Sequence, residues 1–414
     1  MFRSLRLTLA AAAAMLLAAH GALAAQPIKI GFAMGLTGAN APNGKQLLQA
    51  LEIWRDDVNA KGGLLGRKIE LVYYDDQTLP TNDPSIYTKL IDVDKVDLLL
   101  GPYGTNLMAA AMPTIIQHKL TTISMMAVAV NRQFHYNQYF SMLPLGPDPL
   151  HAFSSGFFDI AASFKPKVKT VALVGADAEF GKNATDGARD NAKKAGFTIV
   201  YDKLYPPPTT DFTPILRAVQ ATHPDIVFVG AYPPDTVGIV HAAHEIELKT
   251  KIFGGTMIGL LATPLKVQMG PLMNGLLFHE DFVPAFNFPG SRDLLKRYQA
   301  IARQKGGIDP LGYGFVPFGY AAGQVLAQAV EGTKSLDHQK LAQYVHSHTF
   351  STVVGKVAFN ADGEWVKPRY VFSQWQHLTG NDLAQLQDPK HDVVVWPKEY
   401  ATGKLIFPYT AALK

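Results

Sequence analysis

The 414-residue sequence contains no cysteine. Disulfides, thiolate catalysis and cysteine-type zinc sites are therefore excluded. It also lacks any block of like charge. Its 38 Lys and Arg and 34 Asp and Glu are mixed along the chain, for a formal charge of +4. No cationic stripe points to nucleic acid or to an anionic membrane. After the N-terminal region no uninterrupted apolar stretch reaches transmembrane length.

What the chain does have begins at its N-terminus. Arg3 and Arg6 form a basic start, and Leu7 to Ala19 an apolar run short for a membrane span. Ala22-Leu23-Ala24 fits the small-x-small cleavage rule, so residues 1–24 are expected to be a removed export signal. The mature chain would start at Ala25 or Gln26, about 390 residues long, and losing two arginines lowers the formal charge from +4 to +2. That length predicts two or three domains, and a hydrophobic fraction of 48% supplies sizeable cores. An exported chain without disulfides fits a bacterial periplasm, where a large core makes cross-links unnecessary. Without cysteine, no N-terminal lipid anchor is available.

Strand-period and helix-period segments alternate. Strands are predicted at 28–33, 68–74, 98–100 and 121–124, with helices at 44–60, 84–93 and 107–118 between them. This is a run of parallel-sheet units. The pattern breaks around Pro144 to Pro149 and restarts with strands at 170–174, 198–204, 225–230, 251–254 and 275–280. Their helices fall at 181–195, 212–221 and 236–247, the second opening on Asp211 as a cap. Two such series predict two α/β lobes of comparable build. Helices at 291–304, 318–331 and 339–346 follow, then extended segments at 352–359 and 369–375. The tail from Asp392 to Tyr409 carries Pro397, Gly403 and Pro408 and reads as a surface wrap.

No catalytic constellation survives inspection. His241 and His244, with Glu245 beside them, are not HExxH and have no evident third ligand. Ser124 and Ser154-Ser155 lie in no GxSxG elbow. Asp75-Asp76 could be paired for acid–base work, but at a strand end they read more simply as a turn and helix cap. GPYGTN at 101–106 lacks the Lys-Ser/Thr ending of a phosphate loop, and GLTGAN at 35–40 is not GxGxxG. No cofactor or metal is expected. In open α/β sheets ligands lie beyond the carboxyl ends of strands, where helix N-termini offer free N–H groups to a carboxylate. The Gly-rich loops 35–44 and 101–106 sit at such ends.

Several segments together resemble one family. They are GLTGANAPNG with a helix ending VNAKGGLLGRKIELVYYDD, LLLGPYGTN, TTISMMA, VALVGADAEFGKNATDGARDNAKKAG, TDFTPILRAVQATHPDIVFVGAY and LKTKIFGGT. In order and spacing the chain is similar to type I periplasmic solute-binding proteins of ABC importers, in the branch that binds branched-chain amino acids, amides and related small acids. The resemblance implies an α/β fold of two Rossmann-like lobes joined by three hinge crossings, near residues 145, 280 and 350. Lobe I would hold 27–145 plus 281–349, and lobe II 146–280 plus 350–414. The partners it implies are a small-molecule ligand in the cleft and the membrane permease of an importer. The protein is expected to act as a monomer.

Loop by loop, the resemblance also implies contact residues. Asn43 stands where the family often has an aromatic; Tyr103 either touches the ligand or covers the cleft rim. Thr105, flanked by Gly104 and Asn106, matches the family's carboxylate-binding hydroxyl. Met126 and Ala127 match backbone-contact positions, and Phe180 and Tyr232 match aromatics of the second lobe. Phe180 could instead be lobe packing and Met125 core. Where the amino-acid binders place a hydroxyl, this chain has Val128. Where they place a carboxylate for the ligand ammonium, it has Thr256, followed by Met257. A further family carboxylate position near the first crossing is Gly146 here, with Asp148 two residues on. Arg132 could reach an anion or lie at the surface. An ammonium buried without counter-charge is costly. The expected ligand is therefore a small carboxylic acid with an apolar or aromatic body. The alternatives are an aliphatic amino acid or amide, and a periplasmic sensor docking a separate signalling receptor.

Overall fold

The computed structural model describes residues 26–165 and 167–413; the expected export signal at 1–24 lies outside the described residues. The first series runs β1 (Ile28–Met34), α1 (Ala41–Ala60), β2 (Ile69–Asp75), α2 (Asp83–Asp92), β3 (Leu98–Tyr103), α3 (Thr105–Gln117), β4 (Thr122–Met125), α4 (Asn131–Phe134) and β5 (Tyr139–Ser141). These strands form one sheet in the order β2-β1-β3-β4-β5, with every pair parallel. β3 is buried along its whole length, which matches an apolar run without alternation.

The second series runs α5 (Pro149–Ala162), β6 (Thr170–Ala176), α6 (Glu179–Lys194), β7 (Thr198–Tyr205), α7 (Thr213–Ala221), β8 (Ile226–Ala231), α8 (Pro233–Glu245), β9 (Ile252–Met257), α9 (Thr263–Met269) and β10 (Leu276–Glu280). The chain continues through α10 (Ser291–Lys305), α11 (Val316–Thr333), α12 (His338–Ser347), β11 (Phe350–Thr352), β12 (Gly355–Val357), β13 (Val371–Trp375), α13 (Leu383–Gln387), β14 (Asp392–Trp396) and α14 (Tyr409–Ala412). The second sheet has the order β14-β13-β10-β9-β8-β6-β7. Its core pairs are parallel, while β13 joins β10 and β14 joins β13 antiparallel.

Helices α10 and α11 return to the first lobe and pack on α1. The contact is close. A Cβ added at Gly323 of α11 would lie 2.2 Å from Cδ2 of buried Trp54, so only glycine fits there. The β11–β12 hairpin also packs on α11. Gly363 accepts from the Ser141 N–H at 2.8 Å, and the Trp365 indole donates to the Ser141 carbonyl at 3.0 Å. The chain therefore stays with the first lobe through Trp365 and rejoins the second sheet at Val371. From these contacts we place the third crossing between those residues, later than the expected 350. The first and second crossings follow β5 and β10.

Several elements differ from the sequence reading, among them the unexpected helices α4, α9 and α13. Helix α5 was not anticipated, although it carries a buried stripe through Leu150, Phe153, Phe157 and Ala161 with His151, Ser155 and Asp159 on the other face. Strand β5 is only three residues long. The tail is no loose wrap: Val393 and Val394 enter the second sheet through β14, upstream of the prolines that dominated the reading.

Candidate functional site

Each sheet reverses strand order once near the lobe interface. In the first, β1 has β2 on one side and β3 on the other; in the second, β6 lies between β7 and β8. The loops at these two switch points diverge and leave a crevice beyond the strand ends. The four loops concerned follow β1, β3, β6 and β8, and residues from three of them (Asn40; Gly104 and Thr105; Tyr232), together with Phe180 at the second position of α6, line one cavity of about 70 Å³.

On the first lobe, the loop after β1 is tied to the end of β2. Asp75 Oδ1 accepts from the N–H groups of Leu36 and Thr37 at 2.9 and 3.2 Å, and Oδ2 accepts from the Thr37 hydroxyl at 2.7 Å. Burial works against the Asp75 charge, but these bonds hold its carboxyl below the usual range. Asp76 Oδ1 accepts from the Thr78 N–H at 2.7 Å, and Thr78 Oγ1 accepts from the Asn40 N–H at 3.1 Å. Asp75-Asp76 is thus a loop clamp, and it sets Asn40 and Thr78 against the cavity.

The loop after β3 makes the most specific feature. Gly104 takes φ +101° and hands the chain to α3, whose first residue is Thr105. No side chain caps this helix, so the N–H groups of its first turn are open to a ligand. Thr105 Oγ1 accepts from the Val128 N–H at 3.0 Å. With that lone pair engaged, the hydroxyl proton remains available to donate. Hydroxyl, N–H groups and helix dipole together favour an anion.

The second lobe meets this helix directly. Asn106 Oδ1 accepts from the Phe180 N–H at 3.0 Å and from the Tyr232 hydroxyl at 2.8 Å. Asn183 Nδ2 donates to the Val128 carbonyl at 3.0 Å, and Gln133 bonds Glu179. The lobes are therefore bridged across the crevice. Phe180 packs edge-on against Tyr232 and Phe153, at centroid distances of 5.2 and 5.8 Å. Burial pushes the Tyr232 phenol above its usual range, so it serves as a neutral donor.

Of the residues expected from sequence, Tyr103, Gly104, Thr105, Asn106, Met126, Val128, Phe180 and Tyr232 line the cavity. Four do not. Asn43 is fully buried behind Tyr103 and donates to its hydroxyl at 2.8 Å. Ala127 is buried in the core beneath α3. Thr256 lies inside the second sheet, its Oγ1 3.7 Å from where a Cβ on Gly230 would be. Buried Met257 ends the same strand, and Ile258 in the following turn takes the cavity-facing place. Asp148 caps α5 and bonds His151, and Arg132 is exposed; neither lines the cavity.

The most consequential residue missed from sequence is Asp281, just after β10 at the second crossing. Its Oδ1 meets His279 Nε2 at 2.8 Å, with side chains only 4% and 1% exposed. The expectation of a pocket without a carboxylate is therefore corrected. An acidic residue directly after the strand predicted at 275–280 was the available signal. Leu143, Phe153, Leu261 and Phe315 also join the lining from segments that sequence order keeps far apart.

The family model described as "Periplasmic binding protein" matches residues 27–381. An "Amino acid binding protein" of Pseudomonas aeruginosa is 26% identical over 379 residues, 91% of this chain and 96% of that protein. Two solved structures align over most of their length. One is a branched-chain amino acid transporter substrate binding protein from Streptococcus pneumoniae in complex with isoleucine, at TM-score 0.73, 21% identity and coverage of 90% and 100%. The other is an ABC transporter solute binding protein from R. palustris in complex with benzoate, at TM-score 0.74, 20% identity and coverage of 89% and 95%. Both share the two-lobe fold; at such identity they carry no ligand assignment.

Proposed function

Since this chain belongs to the periplasmic binding protein family, we propose that it captures a small carboxylate-bearing ligand with an apolar body and presents it to the permease of an ABC importer. The observation that carries the proposal is the start of α3. Thr105 is 2% exposed, its acceptor lone pair is held by the Val128 N–H, and its proton is free beside an uncapped helix N-terminus. A carboxylate accepts from this set and brings no donor that would compete. The rest of the lining is largely apolar, with Met126, Val128, Phe153, Phe180, Leu261 and Phe315 suited to a hydrocarbon or ring. Bridging of the lobes by Asn106 supports a cleft that closes on its ligand and excludes water.

The test is a thermal-shift screen of the mature protein against amino acids, aliphatic and aromatic monocarboxylates, and their amides. A ligand at about 100 times Kd stabilises by about 2.7 kcal/mol, a readily measured shift. Hits confined to amides and other uncharged compounds would refute the anion site at α3.

A further inference from the structure

We propose that a cavity beside the second crossing is a second binding site, separate from the cleft, for a small organic amine with an apolar body. It lies among Val283, Tyr313, Leu386, Asp388, Asp392 and Val394, and its volume is about 270 Å³, against about 70 Å³ in the cleft. The two share no lining residue. The walls come from the segment just after β10, the loop between α10 and α11, and the α13–β14 stretch at the edge of the second sheet. Pro284 and Ala285 are exposed members of the lining, so a ligand can enter there.

The apolar body has a ready floor. Val283 and Val394 are buried and pack with Val371 as a small cluster of their own. Leu386 is buried and Tyr313 half-buried in the same lining. The amine is called for by what lies behind Asp392. Register places Glu280, Ser373, Trp375 and Asp392 on one face of the adjacent strands β10, β13 and β14. Glu280 Oε2, Ser373 Oγ, Trp375 Nε1 and Asp392 Oδ1 are all buried there without a hydrogen-bond partner among the described residues. Glu280 and Ser373 are only 5% and 0% exposed, so bulk water does not satisfy them. Burial drives the carboxyls of Glu280 and Asp392 above their usual range, and Lys266 of α9, its Nζ 5.1 Å over the Trp375 ring, opposes this. One basic group thus faces two carboxyls. Burial otherwise favours a proton on the pair, and an ammonium in the cavity supplies that positive charge instead. Asp392 belongs to both the cluster and the lining, so it carries the deficit to the cavity wall. Asp388, paired with Lys390 at 2.8 Å, lines the same cavity. No Lys, Arg or His stands among the described lining residues. An anion would face carboxylates across the cavity, and an uncharged ligand would leave the deficit in place.

The experiment is calorimetry on the mature protein with benzylamine and 3-methylbutylamine, against benzyl alcohol and 3-methylbutanol as uncharged counterparts. At least one amine should bind, on the order of ten- to a hundredfold more tightly than its alcohol. Asp392→Asn should remove that preference. Ala285→Trp, at an exposed lining position, should block the amine by filling the cavity. Asp281→Asn, in the cleft, should leave amine binding as it is. Failure of both amines to bind overturns the inference, and so does equal binding of amines and alcohols. Amine binding that is lost in Asp281→Asn but kept in Asp392→Asn and Ala285→Trp belongs to the cleft and overturns it as well. If Asp392→Asn fails to fold, as judged by circular dichroism, Ala285→Trp decides. None of these probes carries a carboxylate, so a negative result leaves the proposed capture of a carboxylate ligand standing.

Discussion

Asn106 joins the lobes through one oxygen that accepts two bonds, from the Phe180 N–H at 3.0 Å and the Tyr232 hydroxyl at 2.8 Å. Asn106→Ala deletes both. A neutral hydrogen bond contributes about 0.5–1.5 kcal/mol net, so the closed form should lose about 1–3 kcal/mol. That is roughly a 5- to 150-fold change in the closed-to-open ratio. If only the closed form holds ligand tightly, apparent affinity falls by the same factor once closure is no longer the majority state. Solution scattering should show a larger radius of gyration for the ligand-free variant. Since Asn106 also lines the cavity, a double-mutant cycle separates closure from ligand contact. Tyr232→Phe should weaken binding in the wild-type background and have little effect on Asn106→Ala. The reasoning is refuted if Asn106→Ala matches wild type in both scattering and affinity, or if Tyr232→Phe costs as much on the variant.

Three further outcomes are expected. Thr105→Ala should lose about 1.5–3 kcal/mol of ligand affinity, and Thr105→Ser should retain most of it, by calorimetry; equal loss in both would point to packing rather than the hydroxyl. Gly323→Ala should lower the thermal midpoint through an overpacking cost of about 1–3 kcal/mol against Trp54, with ligand affinity unchanged, because the clash lies within the α1–α11 contact. Glu364, buried near the third crossing, should make stability fall with rising pH. Burial drives its carboxyl up to about 8, with a Ser141 hydrogen bond only partly opposing. The folded state then holds a proton that the unfolded chain releases above the ordinary value of about 4.3. Its contribution is complete below that value, declines by about 1.4 kcal/mol per pH unit, and is gone by about pH 8. Glu364→Gln should accordingly gain on wild type in urea midpoint between pH 5 and 8; a constant difference would contradict the assignment.

The fold was readable because most of it repeats one local pattern. Apolar runs such as Leu98–Leu100 and the stripe through Leu47, Leu51 and Trp54 announce buried strands and amphipathic helices without tertiary knowledge. Where the pattern is short or interrupted, the reading failed. Strand β5 is only three residues long, too short to show a period, and Val393 to Trp396 lie beside prolines that suggested a loop. The placement of the third crossing after Trp365 is hidden from the sequence for a similar reason. The β11–β12 hairpin has strand character, yet its surface is claimed by α11 of the first lobe, which local propensity cannot reveal.

The candidate site divides along the same line. Thr105, Phe180 and Tyr232 follow strands or open helices at the two switch points, so topology alone brings them to the crevice. Thr256 and Met257 were one residue or two too early on β9. All six residues of β9 are buried, and the cavity begins only past the strand end, at Ile258 in the following turn. Asp281 enters from the second crossing, where the chain changes lobes, and Phe315 from the loop between α10 and α11, and in both segments periodicity stops. Asp281 sits on the second crossing and lines the cavity, so ligand contact and hinge geometry share that segment.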